Sequence, residues 1–75
     1  MADLNSPLSG NLKAARTAKG WSRRTLADRS GTSEATLARV ELYGHTPNVS
    51  AIYAWATALD VPPSALLDPE PERAA

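Results

Sequence analysis

An all-α fold of five short helices is predicted for this 75-residue chain, on three observations. Apolar residues recur at helical spacing, as in Leu8, Leu12 and Ala15, and again in Ile52, Trp55, Ala56 and Leu59. Residues that cap helix N-termini stand before the periodic stretches, at Ser9, Ser22, Thr32 or Ser33, and Asn48. Glycines and prolines separate the stretches, at Gly20, Gly31, Gly44 to Pro47, and Pro62-Pro63.

The first helix is expected from a cap at Ser9 through Lys19, with Gly20 where a C-terminal glycine belongs. Trp21 then staples the next element, and Ser22 caps helix two, Arg23 to Ser30. Thr32 or Ser33 caps helix three, which runs to about Leu42, and Tyr43 to Pro47 form a loop. Asn48 caps helix four, whose Val49, Ile52, Trp55, Ala56 and Leu59 make a buried face; Val61 and the two prolines break it. A closing helix, Ser64 to Leu67, is expected to drop Leu66 and Leu67 onto the core as a lid. Residues 1–7 and 68–75 are too polar and proline-rich to pack, so 8–67 is read as one compact domain between flexible tails.

Residues Trp21 to Glu41 carry the functional signal. Two helices crossing at a steep angle need a small side chain where their backbones approach and a residue free to take positive φ at the turn. Ala27 and Gly31 supply these, with Leu26, Leu37 and Val40 where the pair shares a core. Arg23, Arg24, Thr36 and Arg39 are left facing outward. The arrangement is a helix-turn-helix, a motif whose usual work is reading DNA.

Composition excludes several alternatives. There is no cysteine, so disulfide staples and thiolate metal sites are ruled out. The start of the chain has neither the basic residues nor the apolar run of a signal peptide, and no apolar run approaches membrane-spanning length, which implies a soluble cytoplasmic protein. The formal net charge of zero hides a division. Residues 10–40 hold seven cations (Lys13, Arg16, Lys19, Arg23, Arg24, Arg29, Arg39) against Asp28 and Glu34, whereas residues 41–75 carry a net −4. Such polarity suits a protein that turns one face to phosphate, though an ordinary solvated surface explains it as well. With one histidine and scattered carboxylates, no nucleophile–base–orienter set can be assembled, and no cofactor or metal is called for.

The chain resembles the Cro and phage-repressor (XRE-like) type of helix-turn-helix proteins, lambda-repressor-like five-helix DNA-binding domains. The likeness spans about Leu8 to Leu67: a first helix ending in Gly20, Trp21-Ser22, Leu26-Ala27, Gly31, the Thr32-Ser33 pair, Leu37, Val40-Glu41, Pro47, Ala58-Leu59-Asp60-Val61 and Leu66-Leu67. It implies that helix three enters the major groove of a double-stranded DNA operator, with Glu34, Ala35, Thr36 and Arg39 as base-reading positions. An Arg39 guanidinium can pair bidentately with guanine; Ala35 and Thr36 can touch a thymine methyl. Glu34 either favours the helix dipole or accepts from cytosine, and Thr36 alternatively bonds its own backbone.

Backbone phosphates fall to Ser22, Arg23, Arg24, Ser33 and His45 on the same resemblance. Arg23 and Arg24 also carry an independent argument, since two cations in a first helical turn oppose the macrodipole and call for compensation, which phosphate provides. The family usually has glutamine where Arg23 stands and often a basic residue in the loop, where this chain offers His45. Arg16 and Glu41 match the family's ion pair between the first and the recognition helix. Both tryptophans are assigned to packing, Tyr43 lies where the family's loop nears the DNA backbone, and Tyr53 sits beside an exposed Ala54. A homodimer on DNA is implied near the C-terminal helices, with Tyr53, Pro62, Pro63 and Leu66 as interface candidates. The expected function is a small transcriptional repressor of prokaryotic or phage type. The alternatives are an antitoxin-type autoregulator and a protein-interaction module on the same fold.

Overall fold

The computed structural model describes residues 7–68. Within them the chain forms α1 (Pro7–Ala18), α2 (Arg23–Ser30), α3 (Glu34–Tyr43), α4 (Val49–Leu59) and α5 (Pro63–Leu67), with no strand among the described residues. The expected tails fall almost wholly outside this range.

Local chemistry explains most boundaries. Ser22, Ser33 and Asn48 each hold extended φ and ψ and accept a hydrogen bond from the backbone N–H three residues on, at Thr25, Thr36 and Ala51. Of the two candidate caps for α3 the structure therefore selects Ser33. Gly20, Gly31 and Gly44 take positive φ at the ends of α1, α2 and α3. α4 closes in the same left-handed conformation on a non-glycine residue, Asp60, with φ 62°. There the Val61 N–H donates to the Ala56 carbonyl at 3.0 Å and the Asp60 N–H to that of Thr57 at 3.1 Å, which absorbs carbonyls the helix end leaves unpaired.

Two helix starts differ from expectation. α1 opens at Pro7, so Ser9 lies inside the helix; its hydroxyl donates to the Glu41 carbonyl at 3.1 Å and fastens α1 to the end of α3. α5 opens at Pro63, whose ring suits the first helical position because no N–H is needed there. α1 and α3 also end one residue away from the expected limits, at Ala18 and Tyr43.

One core joins all five helices: Leu8 and Leu12 from α1, Leu26 and Ala27 from α2, Leu37 and Val40 from α3, Ile52, Trp55, Ala56 and Leu59 from α4, and Leu66 from α5. α4 packs on α2 and α5, and α1 on α3 and α5. Two expected core residues are not in it. Val49 is 65% exposed because it is the first residue of α4, at the end of the stripe it continues, and Leu67 is 46% exposed on the outer side of a helix too short to bury two faces. Polar ties supplement the apolar ones. The Trp55 indole N–H donates to the Thr32 hydroxyl at 2.9 Å, joining α4 to the turn that links α2 and α3. Asn11 Nδ2 donates to the carbonyls of Leu66 at 3.0 Å and Asp68 at 2.6 Å, pinning the end of α5 to α1.

Candidate nucleic-acid interface

The turn between α2 and α3 fixes the geometry of the site. Ala27 is buried in the common core, and its carbonyl accepts both the Gly31 N–H and, at 3.0 Å, the Thr32 N–H. A Cβ added at Gly31 would meet nothing within 4 Å, so glycine is needed there for its φ of +72° and not for space. Leu37 and Val40 anchor the inner side of α3. Its opposite side is thereby held rigidly toward solvent.

On that outer side Glu34, Ala35 and Arg39 are exposed and Thr36 is half-buried. Arg39 makes no side-chain hydrogen bond or ion pair among the described residues. Ser22, Arg24, Ser33 and His45 are exposed as well, and the hydroxyls of Ser22 and Ser33 are engaged as helix caps. Leu42 and Tyr43, 57% and 74% exposed, extend the outer face of α3 past Arg39. Tyr43 was singled out in the sequence for its place by the loop, but Leu42 was not; its spacing of three from Arg39 is the signal that finds it.

Arg23 departs from the outward placement read in the sequence. It is half-buried, and its Nη1 lies 3.5 Å from Oε1 of Glu41. Glu41 is already held by Arg16, which donates from Nε to Oε2 and from Nη2 to Oε1, both at 2.8 Å, while Arg16 Nη1 donates to the Trp21 carbonyl at 2.7 Å. The forked pairing is the strong form of this contact, and it ties α1, the α1–α2 connection and the end of α3 together. The hydrogen bonds to Glu41 raise the Arg16 pKa above its ordinary value against the opposing effect of burial. A raised pKa means that this stabilisation is complete at lower pH and is lost only as the pH climbs through that alkaline value.

The remaining assignments divide. Trp55 is fully buried, as expected of a packing residue. Trp21 is half-buried and carries two cations over its ring, Arg29 at 4.7 Å and Lys19 at 5.7 Å from the centroid. Tyr53 is exposed and lines an open groove with Arg29, Val49 and Thr57, between α2 and the outer side of α4. Pro62 is exposed and Pro63 half-buried. Leu66, expected at the interface, has 1% of its surface exposed and belongs to the core instead: its side chain is spent on holding α5 down. Among the described residues no group of three or more His, Cys, Asp or Glu is placed to hold a metal ion, and no helix is long and apolar enough to cross a membrane.

Two solved structures and one sequence relative resemble this chain. A crystal structure of the restriction-modification controller protein C.AhdI from Aeromonas hydrophila superposes with a TM-score of 0.79 at 37% identity, over 89% of this chain and 100% of that one. The hypothetical transcription factor NHTF from Neisseria superposes with a TM-score of 0.83 at 34% identity, over 93% of this chain and 80% of that one. In sequence the chain is similar to the HTH-type transcriptional regulator SutR of Escherichia coli strain K12, 38% identical over 69 residues, which are 92% of this chain. It spans only 39% of the length of that relative. The helix-turn-helix family profile matches residues 12–66, from the buried Leu12 of α1 to the buried Leu66 of α5. The chain belongs to the helix-turn-helix family, in its Cro and phage-repressor type.

Proposed function

We propose that this chain is a DNA-binding transcriptional regulator that lays α3 in the major groove and works by binding, without catalysis. The observation that carries the reading is Arg39: an arginine left exposed, with no side-chain partner among the described residues, on the outer side of a helix whose inner side is fixed by Leu37 and Val40. Its guanidinium is free to meet guanine O6 and N7 together, the commonest specific contact in protein–DNA recognition. Glu34, Ala35 and the half-buried Thr36 share the start of the same helix, and the exposed Ser22, Arg24, Ser33 and His45 are candidate phosphate contacts. The regulator works in the bacterial cytoplasm, where its operator is, and a domain seated on an operator acts most simply as a repressor.

We further propose a two-fold dimer on DNA. One recognition helix reads only a few base pairs, and a single domain with a modest excess of cations binds one half-site weakly at physiological salt. The exposed Tyr53 and Pro62, with Pro63, remain as contact residues, and the half-sites lie about 34 Å apart on one side of the duplex. Light scattering of the operator complex tests this; one chain per operator, with no inverted repeat in selected sites, removes the dimer.

Sites selected from a random duplex library provide the test of Arg39. Arg39→Ala is expected to lose about 1–3 kcal/mol on the preferred site and almost nothing on random duplex. Equal losses on both would take base reading away from Arg39. The zero net charge and a loop lacking Lys or Arg favour a second reading, a protein-binding module; absence of any salt-dependent binding to duplex DNA selects it.

A further inference from the structure

We propose that Glu41, a buried carboxylate at the far end of α3, is a positioning residue for DNA: it sets the Arg23 guanidinium at the start of α2 for a backbone phosphate. The proposal rests on the DNA-binding reading above and adds to it a residue that no DNA atom touches.

Arg23 and Arg24 are adjacent in sequence and equally opposed by the positive end of the α2 dipole, yet the fold treats them differently. Arg24 is exposed and takes no side-chain partner among the described residues. Arg23 leans inward until Nη1 is 3.5 Å from Glu41 Oε1, with side-chain exposures of 35% for the arginine and 0% for the glutamate. The carboxylate it meets cannot follow it outward, because both oxygens accept 2.8 Å bonds from Arg16 and Arg16 is itself tied to the Trp21 carbonyl. Glu41 is therefore a fixed anion, and Arg23 is drawn to a fixed place.

The contact holds Arg23 without consuming it. At 3.5 Å it is an ion pair too long to be a strong hydrogen bond, and it engages one edge of a group that has five N–H donors. The charge count agrees: Arg16, Arg23 and Glu41 together keep one positive charge, since a single carboxylate is shared by two guanidiniums. That surplus lies on the partly exposed member. A phosphate approaching the start of α2 thus meets an arginine whose orientation is already set, so less side-chain freedom is lost on binding than at Arg24.

Positioning and plain charge predict opposite signs for one substitution. Removing a negative charge near a phosphate strengthens binding by simple electrostatics, whereas removing the group that sets Arg23 weakens it. The experiment measures binding of the full chain to a random-sequence DNA duplex across a range of salt concentrations, with circular dichroism confirming the fold of each variant. Arg23→Ala is expected to weaken binding about tenfold and to lower the salt slope by about one unit, and Arg24→Ala to weaken it less. Glu41→Gln is expected to weaken binding in the native background and to change nothing further once Arg23 is alanine. Should Glu41→Gln fail to fold, Arg23→Lys takes its place: the charge and the salt slope stay, but a lysine has no fork to share between carboxylate and phosphate, so affinity falls toward that of Arg23→Ala.

Stronger binding by Glu41→Gln, an equal effect of that change with and without Arg23, or native affinity in Arg23→Lys overturns the proposal while leaving the DNA-binding reading intact. Failure of the unaltered protein to bind the duplex at low salt overturns both.

Discussion

Between Val49 and Leu59, α4 carries no charged residue and buries Ile52, Trp55, Ala56 and Leu59. The α2–α3 pair carries Arg23, Arg24, Asp28, Arg29, Glu34, Arg39 and Glu41, and buries two residues from each helix, Leu26 with Ala27 and Leu37 with Val40. The difference teaches where the apolar stability of the domain resides. A helix that presents a side to a large polar partner can bury only a narrow stripe, so the domain needs a second helix to supply the missing apolar surface. α4 does so, and the Trp55 indole bonded to Thr32 fixes it to the very turn that aims α3. The charged α2–α3 pair is thus held by an uncharged neighbour.

The comparison breaks most severely at Trp55. Trp55→Ala is expected to cost about 3–5 kcal/mol, from the lost ring and the cavity left behind. At about 0.05–0.15 kcal/mol per residue, a chain of 75 residues has about 4–11 kcal/mol of stability, so this loss removes a large part of it. Urea unfolding followed by circular dichroism should find the midpoint moved to much lower denaturant. Arg39→Ala, on the charged pair, should leave the same curve within about 0.5 kcal/mol of the native one. A mild Trp55→Ala phenotype would show that the core does not depend on α4.

A smaller effect is expected where the α2–α3 pair closes on itself. Ala27 is 3% exposed in the core, and if it marks the close approach of the two helices, Ala27→Leu overpacks that approach at a cost of about 1–3 kcal/mol. The displacement tilts α3, so binding to a selected operator should fall even at temperatures where the variant stays folded. Native thermal stability would place the close contact elsewhere.

What was legible in the sequence follows the range of the interactions involved. Ser22, Ser33 and Asn48 act within three residues, and Gly31 within its own backbone, so caps and turn could be read along the chain. The same holds for the helical stripe of α4 and for the register that puts Arg39 outside. Contacts between distant residues stayed hidden. Ser9 resembles a cap, but its hydroxyl goes to a carbonyl 32 residues away, and the lean of Arg23 toward Glu41 exists only once α2 and α3 are packed. Periodicity also overstated burial at element ends. Val49 and Leu67 fit the apolar pattern, yet they sit at the first residue of α4 and the last residue of α5, where each stays largely exposed. The ion pair of Arg16 with Glu41 came from family resemblance, and spacing alone would not have paired them.

The smallest expected effect contrasts how the two regions end their helices. α2 stops on Gly31 at φ 72°, α4 on Asp60 at φ 62°, so one left-handed position has the residue without a Cβ penalty and the other does not. Gly31→Ala should cost about 1–2 kcal/mol, all of it conformational, because the new Cβ meets no atom within 4 Å. At Asp60 the strain is milder, since a short polar side chain tolerates this region, but a carboxylate at a helix C-terminus also faces the negative end of the dipole. Asp60→Gly removes both penalties and adds about 0.4–1 kcal/mol of unfolded-chain entropy in return. The net should be a gain below about 1 kcal/mol, visible as a small rise in Tm. A clear loss on Asp60→Gly would mean that the Asp60 side chain holds the end of α4 in a way its backbone bonds do not, and that the uncharged helix depends on one charge at its boundary.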